Sequence, residues 1–170
     1  MTMPSGLIIL ADLEDRDLIW LSQTGRLRAL AEGDELIAED CELEELFIVT
    51  DGHFRVTANG IDLAELSTGD VLGEMSFVEK RPTSASVVAM GPARVLAVSR
   101  AALTEEFTRN QGFAARFYRA LAVFLSDRLR TMAAEPGQEE LDESLLDTLH
   151  VAGDRTLRLI ELLEGRVPAA

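Results

Sequence analysis

The sequence predicts a mainly β domain flanked by helices, and three observations carry that prediction. Between residues 33 and 99, short runs rich in Val, Ile and Phe alternate with glycine-bearing turns, and six of the twelve glycines fall there. Two dipeptides in this stretch, Asp51-Gly52 and Asn59-Gly60, suit the positive backbone angles of tight hairpins. On either side the apolar spacing changes from alternation to a helical period. Several short strands at close intervals point to a small barrel or jelly roll.

The elements follow in order. Leu10, Leu13, Leu18, Ile19, Leu21, Leu27 and Leu30 lie among charges over residues 7–31, which reads as a helical opening with Asp15 or Asp17 as the cap. Candidate strands cover 35–38, 45–50, 53–58, 61–66, 84–90 and 94–98. A short helix is expected over 101–109 and a long one over 113–133, with Gly112 as the break between them. Phe117, Leu121, Phe124, Leu125, Leu129 and Met132 share one face of the long helix. Pro136-Gly137 is a stop signal. Beyond it, residues 135–170 carry nine acids and three arginines, with two amphipathic segments over 141–149 and 156–163.

Composition narrows the function. The chain has 170 residues, enough for one compact domain with an appendage. Sixteen basic against thirty acidic residues, net -14, exclude a general binder of phosphate backbones or anionic membranes, because both need a positive surface. Cys41 is the only cysteine, so neither an intrachain disulfide nor a cysteine-based zinc site can form. The apolar runs at 6–11 and 120–125 fall far short of the roughly 20 residues of a spanning helix. No basic residue precedes Arg16, and 7–10 is too short an apolar core for a secretory signal. A cytoplasmic protein without membrane contact is expected.

Enzyme chemistry finds no anchor in the sequence. The only histidines are His53 and His150, too few for a clustered metal site on a β-roll. No nucleophile elbow, Walker-type loop or dinucleotide-binding glycine pattern is present. Glu44-Glu45 and Glu139-Glu140 are sequence neighbours and read as solvated charge.

The most specific stretch is Leu72-Gly73-Glu74-Met75-Ser76-Phe77-Val78-Glu79-Lys80-Arg81-Pro82-Thr83-Ser84-Ala85-Ser86-Val87. It links two strands through one or two helical turns. Glu74 at the head of the turn suits the helix dipole, and the amides of Met75 and Ser76 at a helix start are suited to an anion. The stretch resembles the phosphate-binding cassette of the cyclic nucleotide-binding domain family. The same family's turns and hairpin are resembled by Gly33-Asp34-Glu35-Leu36, by Phe47 to Val56 around Asp51-Gly52, and by Leu66-Ser67-Thr68-Gly69-Asp70. The likeness covers about residues 13–134.

That resemblance implies a double-stranded β-helix, or jelly-roll-like β-roll, with an N-terminal helix, a long C-terminal dimer helix and a short helical tail. The domain would occupy 7–134 and the acidic tail 135–170. It implies a non-catalytic regulatory or sensor module, with cyclic AMP or cyclic GMP as the ligand and no certain cofactor. Gly73, Glu74, Met75, Ser76, Thr83 and Ser84 would form the ligand site, with Glu74 accepting from the ribose 2'-hydroxyl. The family's phosphate-pairing arginine is replaced by Thr83, which weakens that ligand. Arg81, two positions earlier, is a candidate replacement or a solvated partner of Glu79. Phe117, Leu121, Phe124, Leu125 and Leu129 would form the seam of a homodimer, and Arg128 or Thr131 would approach a bound base. The alternative is a ligand-free dimeric module that recognises a protein partner. DNA binding is not expected, since a recognition helix does not follow before Ala170 and the tail is acidic.

Overall fold

The computed structural model describes residues 7–133 and 143–166. Two helices come first, α1 (Leu7–Ala11) and α2 (Asp15–Thr24). The strands β1 (Arg26–Leu30), β2 (Glu35–Ile37), β3 (Glu45–Asp51), β4 (Phe54–Ala58), β5 (Ile61–Leu66) and β6 (Val71–Leu72) follow. A short helix α3 (Glu74–Glu79) leads into β7 (Ser86–Ala89) and β8 (Ala93–Ser99), then α4 (Arg100–Arg109), α5 (Gln111–Ala133) and α6 (Glu143–Glu164).

The strands form two antiparallel four-stranded sheets, ordered β1-β8-β3-β6 and β2-β7-β4-β5. Asn59 and Gly60 both take positive φ, 51° and 76°, and join β4 to β5 as a two-residue hairpin, the turn that their chemistry predicts. The mainly β roll with flanking helices is therefore the fold that the sequence indicated.

Four local expectations need correction. Residues 26–30, read as part of the helical opening, form β1. Only Leu30 of this strand is buried, so its own pattern is weak, and pairing from Arg26↔Ala97 to Leu30↔Ala93 on β8 sets its conformation. β6 has two residues and pairs Val71 and Leu72 with Ile48 and Phe47, a strand too short to show a period. The cap of α2 is Glu14, not Asp15 or Asp17; Asp17 sits at the third helical position and accepts from the Glu14 amide at 2.9 Å. The break between α4 and α5 lies at Asn110, whose Oδ1 accepts from the Phe113 amide at 3.1 Å, while Gly112 lies inside the first turn of α5.

Two cores result. Within β3 and β8, alternate residues face opposite ways. Phe47, Val49, Val95 and Ala97 join Leu30, Phe54, Leu66, Leu72 and Val87 inside the roll. Leu46, Ile48, Leu96 and Val98 face the helices and meet Leu10, Leu18, Leu103, Phe113, Phe117 and Leu159. The two amphipathic segments expected in the tail lie on one helix, α6, which runs along α1 and α2 and contributes Leu159 and Leu163 to the helical core. Arg155 pairs with Asp15, and Arg166 donates to the Gly25 carbonyl at 3.3 Å. The proposed boundary at 134/135 and the stop at Pro136-Gly137 lie outside the described residues.

A buried ion pair ties the helices together. Arg116 of α5 holds Asp17 of α2 through Nε to Oδ2 at 2.7 Å and Nη2 to Oδ1 at 2.8 Å, with Glu14 at 3.3 Å. The hydrogen bond that Arg116 donates to Asp17 raises the pKa of Arg116 above the ordinary guanidinium value, against an opposing desolvation. Asp17 is enclosed, while the Arg116 side chain keeps 18% of its surface exposed.

Candidate functional site

The cassette begins where β6 ends. Gly73 has φ +88°, and a Cβ there would lie 2.7 Å from Leu43 Cδ2 and 3.0 Å from the Glu45 carbonyl oxygen, so both the conformation and the space demand glycine. This left-handed step turns the chain into α3, making Glu74 its first residue. At the other end Lys80, also left-handed at φ 51°, closes the helix with its amide on the Ser76 carbonyl at 3.1 Å. Its first-turn amides, from Glu74 to Ser76, have no acceptor within the helix itself. Glu74 is 9% exposed and Ser76 is buried, whereas Met75 and Ser84 are exposed.

Thr83 is 7% exposed and sewn into the roll. Its amide donates to the Cys41 carbonyl at 2.9 Å, and its carbonyl accepts from the Asp40 amide at 2.8 Å. The Thr83 hydroxyl donates to the Ala38 carbonyl and accepts from the Cys41 amide at 3.1 Å. A threonine hydroxyl has one proton to donate. In this geometry that proton is committed to Ala38, so the side chain has no donor left for a phosphate oxygen. Arg81 is 78% exposed in its side chain and lies 3.6 Å from Glu79. It lines a cleft with the 42–44 loop.

Arg100, which sequence reasoning missed, secures the cassette from outside. At the first position of α4, after the Ser99 cap, it donates through Nη2 to the Ser76 carbonyl and to the Phe77 carbonyl at 2.9 Å. Through Nη1 it reaches the Leu43 carbonyl at 3.3 Å, and its guanidinium lies 5.8 Å from the Phe77 ring centroid. The Phe77 carbonyl, near the end of α3, thereby gains a charged donor, and the Ser76 carbonyl takes Arg100 in addition to the Lys80 amide. The available signal was an arginine directly after a helix cap, which carries no periodicity. Phe77 itself stands edge-on to Phe107 and Phe117, with centroids 5.9 and 5.6 Å away, so the cassette touches both α4 and α5.

The residues expected on a dimer seam divide. Phe117, Leu121 and Phe124 are buried in the helical core of their own chain, and Leu125 is half-buried against it. Leu129 is 67% exposed. On α5, Tyr118 and Val123 are also exposed. The apolar stripe packs on the chain's own helical core, where α1 lies against α5. The side chains of Arg128 and Thr131 lie outside the described residues. His53 lies 3.1 Å from Glu65 and His150 3.8 Å from Asp154, both pairs exposed.

The roll carries a glycine-initiated helix between β6 and β7, and an aromatic contact joins that helix to α4 and α5. Residues 27–110 match the family model described as cyclic nucleotide-binding domain, and the chain carries a domain of that family. A curated relative, the Pycsar effector protein PaPycTIR of Pseudomonas aeruginosa, is 38% identical over 82 residues, which are 48% of this chain and 27% of that protein. The chain thus matches about a quarter of that relative's length. Among solved structures, a cyclic nucleotide-binding domain from Methylobacillus flagellatus is similar at a TM-score of 0.66 and 22% identity, covering 82% of this chain and 84% of its own. The catabolite activator protein of Thermus thermophilus gives a TM-score of 0.64 at 21% identity, over 96% of this chain and 90% of its own. No helix among the described residues is long and apolar enough to cross a membrane.

Proposed function

We propose that this chain is a non-catalytic, cytoplasmic sensor module that binds a cyclic nucleotide weakly at the start of α3 and passes its occupancy to α4 and α5. The observation that carries the reading is the pairing of the left-handed Gly73 with the buried Glu74, which sets a carboxylate and the first-turn amides of α3 at one place. Glu74 accepts from a ribose hydroxyl, and the amides of Met75 and Ser76 hold the cyclic phosphate without supplying a full charge. Phe77, lodged against Phe107 and Phe117, is the link to the helices. A ligand acts here by shifting a pre-existing equilibrium between two arrangements of that link.

The missing arginine sets the affinity. Loss of one member of a buried charge pair costs about 2 to 5 kcal/mol. At about 1.4 kcal/mol per decade, a micromolar site becomes roughly 30-fold to several thousand-fold weaker. Calorimetry on the full chain with cyclic AMP and cyclic GMP should give saturable binding between tens of micromolar and a few millimolar ligand, lost in Glu74→Gln. Absence of any saturable heat at millimolar ligand overturns the sensor reading.

A second reading rests on Thr83. Its hydroxyl is committed to Ala38 and Cys41, as expected of a roll that has closed over an abandoned phosphate site and works as a ligand-free interaction module. Under either reading the chain forms a homodimer through the exposed apolar residues of α5, Tyr118, Val123 and Leu129. Light scattering at tens of micromolar should report twice the chain mass of 18.6 kDa; a monomer overturns the dimer.

A further inference from the structure

Beside the end of α3, away from its glycine-initiated start, lies a cleft of about 290 Å³. One wall is the loop bearing Glu42, Leu43 and Glu44, with Arg100 beside it donating its amide to the Glu44 carbonyl at 2.9 Å; the other carries Lys80 and Arg81. Two carboxylates and three cations therefore face a shared space, yet no ion pair joins the walls among the described residues. Arg81 pairs with Glu79 on its own segment, and Lys80, Glu42 and Glu44 have no side-chain partner among the described residues. Arg100 spends both Nη2 protons and one Nη1 proton on the carbonyls of Ser76, Phe77 and Leu43. Its Nε proton and second Nη1 proton have no acceptor among the described residues.

Charges of opposite sign ordinarily close on each other across a narrow gap. Here two fixed features hold the walls apart. The left-handed turn at Lys80 sets one rim, and the three donor bonds of Arg100 tie it to the 43 carbonyl and to α3 at once. A simple anion on the cation wall would also face Glu42 and Glu44, and a simple cation would face Lys80, Arg81 and Arg100. A molecule with one group of each sign satisfies both walls. The volume is near the small end of the roughly 300–1,000 Å³ typical of small-molecule sites.

We propose that this cleft binds a small ampholyte of free amino-acid size, its carboxylate taken by Lys80, Arg81 and Arg100 and its ammonium group by Glu42 and Glu44. Leu43 supplies the apolar floor between them. The same Leu43 lies against Gly73, and Arg100 holds the Phe77 carbonyl, so an occupant of the cleft bears on both ends of α3. The site is separate from the start of that helix and does not depend on a cyclic nucleotide binding there.

The test titrates the full chain with each of the common L-α-amino acids at low ionic strength, read by amide chemical shifts. The best binder is compared with its decarboxylated amine and its deaminated acid. A saturable response should appear at resonances of the 42–44 loop and of residues 80, 81 and 100, and removal of either charged group from the ligand should weaken it at least about tenfold. The double variants Lys80→Gln/Arg81→Gln and Glu42→Gln/Glu44→Gln should each weaken it similarly, with unchanged melting temperature because all four side chains are exposed. No saturation by any amino acid up to about 10 mM, a weakness well past useful binding, overturns the proposal. So does equal binding by the amine or the acid alone, or by either double variant. The cyclic nucleotide titration is read independently, so the two assignments fail separately.

Discussion

On one face of the β1-β8-β3-β6 sheet, Phe47, Val49, Val95 and Ala97 fill the roll; on the other, Leu46, Ile48, Leu96 and Val98 meet the helices. The roll face is completed by residues within 30–89. The helical face is completed by segments far apart in the chain, from Ile9 to Leu21, from Leu103 to Phe124, and by Leu159 and Leu163. One sheet thus supports a core drawn from a single continuous stretch of chain and another drawn from segments spread between Ile9 and Leu163. The cassette straddles the two. Leu72, just before it, belongs to the roll, and Phe77, within it, belongs to the helical side. A movement of α3 relative to the roll therefore reads out on the helices.

The largest expected effect is on the aromatic centre of the helical core. Phe113 is fully buried, 5.1 Å from Phe107 and 5.7 Å from Trp20 between ring centroids. Phe113→Ala should cost about 3–5 kcal/mol in denaturant unfolding. Hydrogen exchange should then rise more in α1, α2 and α6 than in β3 and β4. Equal loss of protection in the roll would show that the two faces form one cooperative unit and would remove the distinction.

Next comes the link between α2 and α5. Asp17→Asn leaves the Arg116 guanidinium without its bidentate partner, and breaking such a pair should cost about 3 kcal/mol, less than full burial would give because Arg116 keeps an edge in water. The pKa of Arg116 is raised in the folded state. A raised basic group stabilises fully below its unfolded pKa and loses that stabilisation only as pH climbs through the folded value. The contribution of Arg116 should accordingly stay constant from neutrality into mild alkali and fade only in strong alkali. Urea melts of wild type and Asp17→Asn at neutral and mildly alkaline pH check this; a difference that shrinks within that interval contradicts it.

The smallest of the three effects falls on the roll. Thr83→Val keeps the shape but removes the donor to Ala38 and the acceptor for Cys41, so about 1–3 kcal/mol should be lost. The midpoint should shift with the denaturant slope unchanged. A cost near zero would show that the Thr83 hydroxyl is not a structural pin, and would return it to the ligand site.

Legibility followed pattern strength. The hairpin at Asn59-Gly60 and the strands around it were readable because the turn residues and alternation agreed. The cassette was readable through the resemblance of the whole stretch from Leu72 to Val87, with its flanking turns, to that of the family. β1 was not readable: its residues show no alternation of burial, with Leu30 alone buried, and its conformation comes from β8. Position 83 was half readable. The absence of arginine is plain in the sequence, whereas the commitment of the threonine proton to Ala38 depends on a residue 45 positions away. Arg100 was invisible for the same reason, since its acceptors lie 23 to 57 positions back.

By itself, then, the sequence determined the mainly β class, the hairpin turns, the cassette frame at Gly73-Glu74 and the apolar stripe of α5. These depend on local backbone preference and short-period burial, which neighbouring residues express directly. Only the tertiary structure decided what the stripe packs against. An apolar face at helical spacing is the same whether it meets another chain or its own, and here Phe117, Leu121 and Phe124 are buried in the chain's own helical core, onto which α1 and α6 also pack. It also decided that the Thr83 hydroxyl serves the roll and that Arg100 braces α3, because a hydrogen bond needs two partners and the sequence displays only one at a time.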